Sequence, residues 1–103
     1  MELLTIKDKE INVNEEGYFT DSSQWTEEIA TEMAKNEHIE LTDKHFEVLH
    51  FLRNKHAEEV PLSIRKVGKS GVTDIKEFYK LFPGGPLKIS SKIAGIPKPV
   101  SCV

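Results

Sequence analysis

The sequence predicts a mainly α domain with an N-terminal β-hairpin, packed as a small orthogonal helical bundle that carries a flexible C-terminal arm. Three observations predict it. Apolar residues recur at helical spacing from Trp25 to Ala94, whereas before Asn14 they alternate with polar ones. Proline and glycine punctuate the boundaries, most heavily at Pro83-Gly-Gly-Pro86. After Gly95 the chain holds two prolines in three positions, Pro97 and Pro99, and cannot continue a helix. A chain of 103 residues suits one core, so the expected organisation is a body over residues 1–94 and an arm over residues 95–103.

Taken in order, Leu3–Ile6 and Glu10–Val13 read as strands joined across Lys7-Asp8-Lys9, with Ile11 and Val13 on the buried face. Asn14 to Asp21, containing Gly17, reads as a loop. A first helix is expected from a cap at Ser22 or Ser23 through Trp25, Ile29 and Met33 to about Asn36, with Trp25 as a core anchor. A second follows Thr42 to about Glu58 on the stripe of Phe46, Val48, Leu49 and Leu52. Leu62–Val67 reads as a short helix bounded by Gly68 and Gly71. Thr73 is the expected cap of a further helix through Ile75, Phe78, Tyr79 and Phe82. Pro86 in a first turn opens the last, through Leu87, Ile89, Ile93 and Ala94 to Gly95.

Composition narrows the function classes. No apolar run approaches the length of a membrane span and no charged-then-apolar leader opens the chain, so a cytoplasmic protein without membrane contact is expected. The single cysteine, Cys102, closes no disulfide within the chain. His38, His45, His50 and His56 form no i, i+4 pair, so neither metal nor cofactor is expected, and the histidines read as partly exposed helix-surface residues. Charge is segregated. Residues 1–60 carry 15 acidic and 6 basic side chains, whereas residues 61–103 carry 2 and 8. The basic part bears the thiol and would steer toward an acidic protein or a phosphate backbone. The two short helices around Gly68 and Gly71 also fit a helix-turn-helix regulator, with Arg65, Lys66 and Lys69 on phosphates. The second of them lacks Asn, Gln or Arg base readers, which favours a helical core with a basic surface.

The arm carries the chemistry. In extended geometry, at about 3 Å per residue, nine residues reach roughly 25–30 Å, enough to place Cys102 in a partner's cleft. Lys98 favours a thiolate there and the terminal carboxylate opposes it. Lys88, Lys92 and Lys98 form a positive approach to Cys102, and no carboxylate side chain occurs in residues 83–103.

The blocks Leu81-Phe-Pro-Gly-Gly-Pro-Leu-Lys88 and Lys92-Ile-Ala-Gly-Ile-Pro-Lys-Pro-Val-Ser-Cys-Val103 resemble the C-terminal signature of the DsrC/TusE family of sulfur carriers. Gly17-Tyr-Phe, Ser23-Gln-Trp25 and Ile64-Arg65 resemble its earlier segments, so the likeness spans most of the chain. The resemblance implies the same fold class and a persulfide on Cys102, the carrier acting as a sulfurtransferase component with no hydrolytic or redox site of its own. Sulfur-donor and sulfur-acceptor proteins are then the expected partners, with Lys98, Lys92, Lys88, Arg65, Pro97 and Pro99 as the residues expected to dock them. Members serving dissimilatory sulfite reductase carry a second cysteine eleven positions before the penultimate one, where this chain has Ser91. A serine closes no disulfide. The single-cysteine pattern is similar to the relay form that passes sulfur toward tRNA thiolation, and partnership with sulfite reductase or a regulator's role are the alternatives. The segment from Pro61 to Leu81 is shorter than its counterpart in the family.

Overall fold

The computed structural model describes residues 2–6 and 8–98, of Glu2 and Leu4 the backbone only; Lys7 and residues 99–103, with Pro99 and Cys102, lie outside the described residues. Strands β1 (Glu2–Ile6) and β2 (Lys9–Val13) pair antiparallel, Leu4 opposite Ile11 and Ile6 opposite Lys9. Each strand is one residue longer than the alternation predicts, β1 at its start with Glu2 and β2 on the turn side with Lys9. Asp8 takes the left-handed conformation there (φ 66°), which aspartate tolerates better than most residues. Ile6, Ile11 and Val13 turn inward and Leu3 outward, the alternation expected of a half-covered sheet. Val13 then bridges to Phe19, so the loop between them folds back on the sheet.

The first helical region differs from expectation. Ser22–Gln24 form a single 3-10 turn, capped by Asp21, whose Oδ1 accepts from the Ser23 amide at 3.0 Å. The helix α1 (Glu27–Asn36) begins afresh after Thr26, whose Oγ1 accepts from the Ile29 amide at 3.1 Å. Two capping sequences lie in succession, and the second has Glu27 and Glu28 in its first turn, where carboxylates favour the helix dipole. Trp25 therefore stands on the extended link between the two pieces, outside any helix, and its indole reaches the Ile93 carbonyl.

Helix α2 (Asp43–Ala57) follows Thr42 as predicted and buries Val48, Leu49 and Leu52. It also buries His45, at 7% exposure, against the expectation of a surface histidine. The reason is its hydrogen bonding. The Thr42 amide can only donate, so His45 Nδ1 accepts from it at 3.1 Å; the ring proton then sits on Nε2 and is donated to the Leu81 carbonyl at 2.9 Å. That carbonyl ends α4 (Ile75–Leu81), which is capped by Asp74 rather than Thr73: Asp74 Oδ1 accepts from the Glu77 amide at 2.7 Å. Thr73 is buried and donates its hydroxyl to Glu77 instead.

Between them, α3 (Ile64–Lys69) runs through Gly68 and is not bounded by it. A Cβ at Gly68 would stand 2.3 Å from Ile75 Cγ1, so glycine is what lets α4 begin against α3. Helix α5 (Pro86–Ile93) has Pro86 in its first turn and packs on α2, α1 and α4, burying Leu87, Ser90, Ser91 and Ile93 in the common core. It is thus the central helix, and residues 95–98 follow its end. Among the described residues, no helix is long and apolar enough to cross a membrane.

Replacing His45 by Ala leaves the Thr42 amide and the Leu81 carbonyl without their partner. A loss of about 2–3 kcal/mol is expected, as buried polar groups lose their bonds, read as a melting temperature lower by on the order of 10 °C.

Candidate functional site

The last turn of α5 leads into residues 95–98, the last of the described residues. Its end is closed by local and distant donors together. Gly95 adopts φ 71°, which only glycine takes without strain, and so lets its own amide donate to Lys92 O at 3.2 Å and the Ile96 amide donate to Ser91 O at 3.2 Å. The next carbonyls are capped by side chains from elsewhere. Trp25 Nε1 donates to Ile93 O at 2.7 Å, and Arg53 Nη1 to Ala94 O at 2.8 Å. The other arm of the same guanidinium reaches Ser22 O at 3.1 Å, and its carbon lies 4.4 Å from the centre of the Trp25 ring. Partial burial lowers the Arg53 pKa from its ordinary value, and it stays a cation. A Cβ on Gly95 would come within 2.6 Å of Trp25 Cδ1, so the indole lies flush against the backbone.

Gly95 and Ile96 are buried, and the chain becomes exposed only at Pro97 and Lys98. Ile96 seats the chain where Gly95 turns it.

The lysines of the positive approach gather around one carboxylate. Asn14 Oδ1 accepts from the amides of Glu16 and Tyr18, fixing a tight loop through Gly17 beside α5. Glu16 Oε2 in that loop accepts from Lys98 Nζ at 2.8 Å, and the Lys92 ammonium lies 5.4 Å from the centre of the Tyr18 ring. The Lys98 hydrogen bond holds the Glu16 carboxyl below its ordinary 4.5; desolvation opposes it, and the charges of Lys98, Lys88 and Lys92 each add a lesser lowering. A shallow depression of about 270 Å³ lies here, lined by Glu16, Tyr18, Lys88, Ile89 and Lys92 among others. Lys88, Lys92 and Lys98 are thereby brought together. Arg65 is exposed on α3, which packs principally on α4. Pro97 is exposed at the exit, and Pro99 and Cys102 lie outside the described residues.

Over residues 5–103 the chain matches the family described as "DsrC like protein", a span that includes Cys102. It belongs to the DsrC-like family. The protein named Sulfurtransferase TusE of Escherichia coli (strain K12) is 40% identical over 109 aligned positions, covering 98% of this chain and all of that one. Among solved structures, the oxidised gamma subunit of dissimilatory sulfite reductase (DsrC) from Archaeoglobus fulgidus superposes with a TM-score of 0.82 at 34% identity, over 99% of this chain and 100% of the other. DsrC of Allochromatium vinosum gives a TM-score of 0.80 at 34% identity, over 99% and 98%. The mainly helical fold with its N-terminal hairpin is therefore that of the DsrC-like family.

Sequence reasoning missed Glu16, Trp25 and Arg53 as parts of the site. Arg53 did leave a trace: it stands four residues after Leu49 on the apolar stripe of α2, where a cation needs a buried partner. Ser91, the serine at the family's second-cysteine position, is fully buried, and its Oγ has no hydrogen-bond partner among the described residues. Ser91→Ala removes an unpaired buried hydroxyl and should stabilise the fold by on the order of 1 kcal/mol, seen as a higher urea midpoint with unchanged slope.

The Glu16–Lys98 pair makes a pH prediction. Because the Glu16 pKa is depressed on folding, the pair's contribution is complete above the unfolded value of 4.5 and fades as pH falls through the lower folded value. A carboxyl-carbon NMR titration should show Glu16 below 4.5, and Lys98→Ala should return it toward 4.5.

Proposed function

We propose that this protein is a sulfur carrier in which Cys102 accepts a sulfane sulfur from one protein persulfide and hands it to another. The observation that carries this reading is that the only cysteine of the chain falls inside a family match running to residue 103, with near full-length likeness to a protein named a sulfurtransferase. The Cys102 thiolate attacks the outer sulfur of the donor's persulfide. The new sulfur–sulfur bond forms on Cys102, the donor's own sulfur–sulfur bond breaks, and the donor leaves as a thiolate. No net oxidation occurs, and delivery repeats the exchange at the acceptor. Such a step needs no general base beyond what sets the thiolate fraction.

The docking role falls to Lys88, Lys92 and Lys98 beside the exit of the arm, with Arg65 on α3 as a second contact and Pro97 and Pro99 stiffening the approach. An acidic rim around a partner's cysteine is the chemistry these cations fit. The single-cysteine pattern supports a relay in the cytoplasm that ends in tRNA 2-thiouridine formation. Ser91 stands against the two-cysteine cycle of a sulfite reductase partner, since its hydroxyl forms no disulfide.

Intact-mass spectrometry after incubation with inorganic polysulfide is the test. The expected result is a gain of one sulfur atom that a reductant removes and that Cys102→Ser abolishes. A gain that survives Cys102→Ser, or no gain in the unaltered protein, overturns the reading.

A further inference from the structure

Every carbonyl in the last turn of α5 has a donor. Ser90 O takes the Ala94 amide, Ser91 O the Ile96 amide and Lys92 O the Gly95 amide; Ile93 O takes Trp25 Nε1 and Ala94 O takes Arg53 Nη1. Helix C-termini ordinarily leave such carbonyls to water, and a glycine turn alone satisfies part of them. Here the two that the turn leaves over are bound by side chains rooted in two other elements, the link before α1 and the middle of α2.

Those two bonds do what a local cap cannot. A glycine turn ends a helix but does not fix the end relative to the rest of the body. Arg53 binds Ala94 O and Ser22 O with one planar guanidinium and lies against the indole that binds Ile93 O. Its charge also sits at the negative end of the α5 dipole. The fork geometry ties α5, α2 and the 3-10 turn into one unit, and lysine, a point donor, cannot reproduce it. The indole in turn leaves no room for a side chain at Gly95, so the backbone turns against a wall.

We propose that Arg53 and Trp25 are positioning residues that fix the direction in which the chain leaves α5, and so the place at which Cys102 is presented to a partner. Its consequence for sulfur transfer rests on the carrier reading; the positioning itself does not.

The chain supplies its own probes, since Trp25 is the only tryptophan and Cys102 the only cysteine. In Arg53→Met, amide hydrogen exchange is expected to lose protection at Gly95 and Ile96 by on the order of tenfold or more, the scale of a lost charge-assisted bond. Loss at the Leu49 and Leu52 amides in the core is expected to be smaller. Time-resolved energy transfer from Trp25 to an acceptor on Cys102, referenced to the unlabelled variant's own tryptophan lifetime, should give a broader distance distribution than in the unaltered protein. Should Arg53→Met not fold, Arg53→Lys keeps the charge and is read in the same way, with the selective loss smaller in size. Equal loss at the root and in the core, unchanged protection at Gly95 and Ile96, or an unchanged distance distribution overturns the proposal. Neither readout involves sulfur, so failure to take up a persulfide overturns the carrier reading and leaves this one standing.

Discussion

The constraint on which the rest of the structure depends is the closure of α5 by groups far away in sequence. The Trp25 indole and the Ile93 carbonyl are 68 residues apart, and the Arg53 guanidinium and the Ala94 carbonyl 41. Each bond joins a polar group that burial would otherwise strand. Helix α5 packs on α1, α2 and α4, so fixing its end also fixes the core around Leu49, Phe78 and Ile93. The break between the 3-10 turn and α1 serves the same end. Were the helix continuous from Ser22, Trp25 would lie on a helical face at the spacing of Ile29; the extended link instead turns it to the α5 terminus.

How much of this was legible in the sequence follows from range. The hairpin, the Thr42 cap of α2 and the opening of α5 at Pro86 with its stop before Gly95 were readable because each signal lies within a few residues of its effect. The first cap was misplaced because Ser22-Ser23 and Thr26 both satisfy the local rule, and only the tertiary seat of Trp25 decides between them. Thr73 and Asp74 pose the same ambiguity one residue apart. His45 was misread for another reason. Its acceptor, Leu81 O, is 36 residues away, so nothing near it announces that the imidazole is buried and bonded at both nitrogens.

The site divides along the same line. Lys88, Lys92 and Lys98 were recognisable as a positive approach because they lie within eleven residues of one another and no acid intervenes. Their counter-ion was not, because Glu16 comes from the acidic part of the chain, across a loop whose shape depends on Asn14 and Gly17. The charge segregation visible in composition is therefore bridged in the fold. At the exit of the arm one exposed pair joins the two parts, and exposed pairs of this kind weaken as ionic strength rises.

A rigid root and a thiol carried beyond it are complementary on the carrier reading. Ordering a chain segment at a partner costs conformational entropy for each residue immobilised. If the chain left the body at a loose helix end, the residues up to Ile96 would add to that cost at every encounter with donor and acceptor alike. With the α5 carbonyls all bound and Ile96 buried, those residues are already ordered in the free protein. The same argument accounts for a sequence with no carboxylate or histidine side chain among residues 83–103. A carrier meets two different partners, and reactivity set by each partner's pocket serves both, whereas what the carrier itself must hold constant is where the thiol is offered.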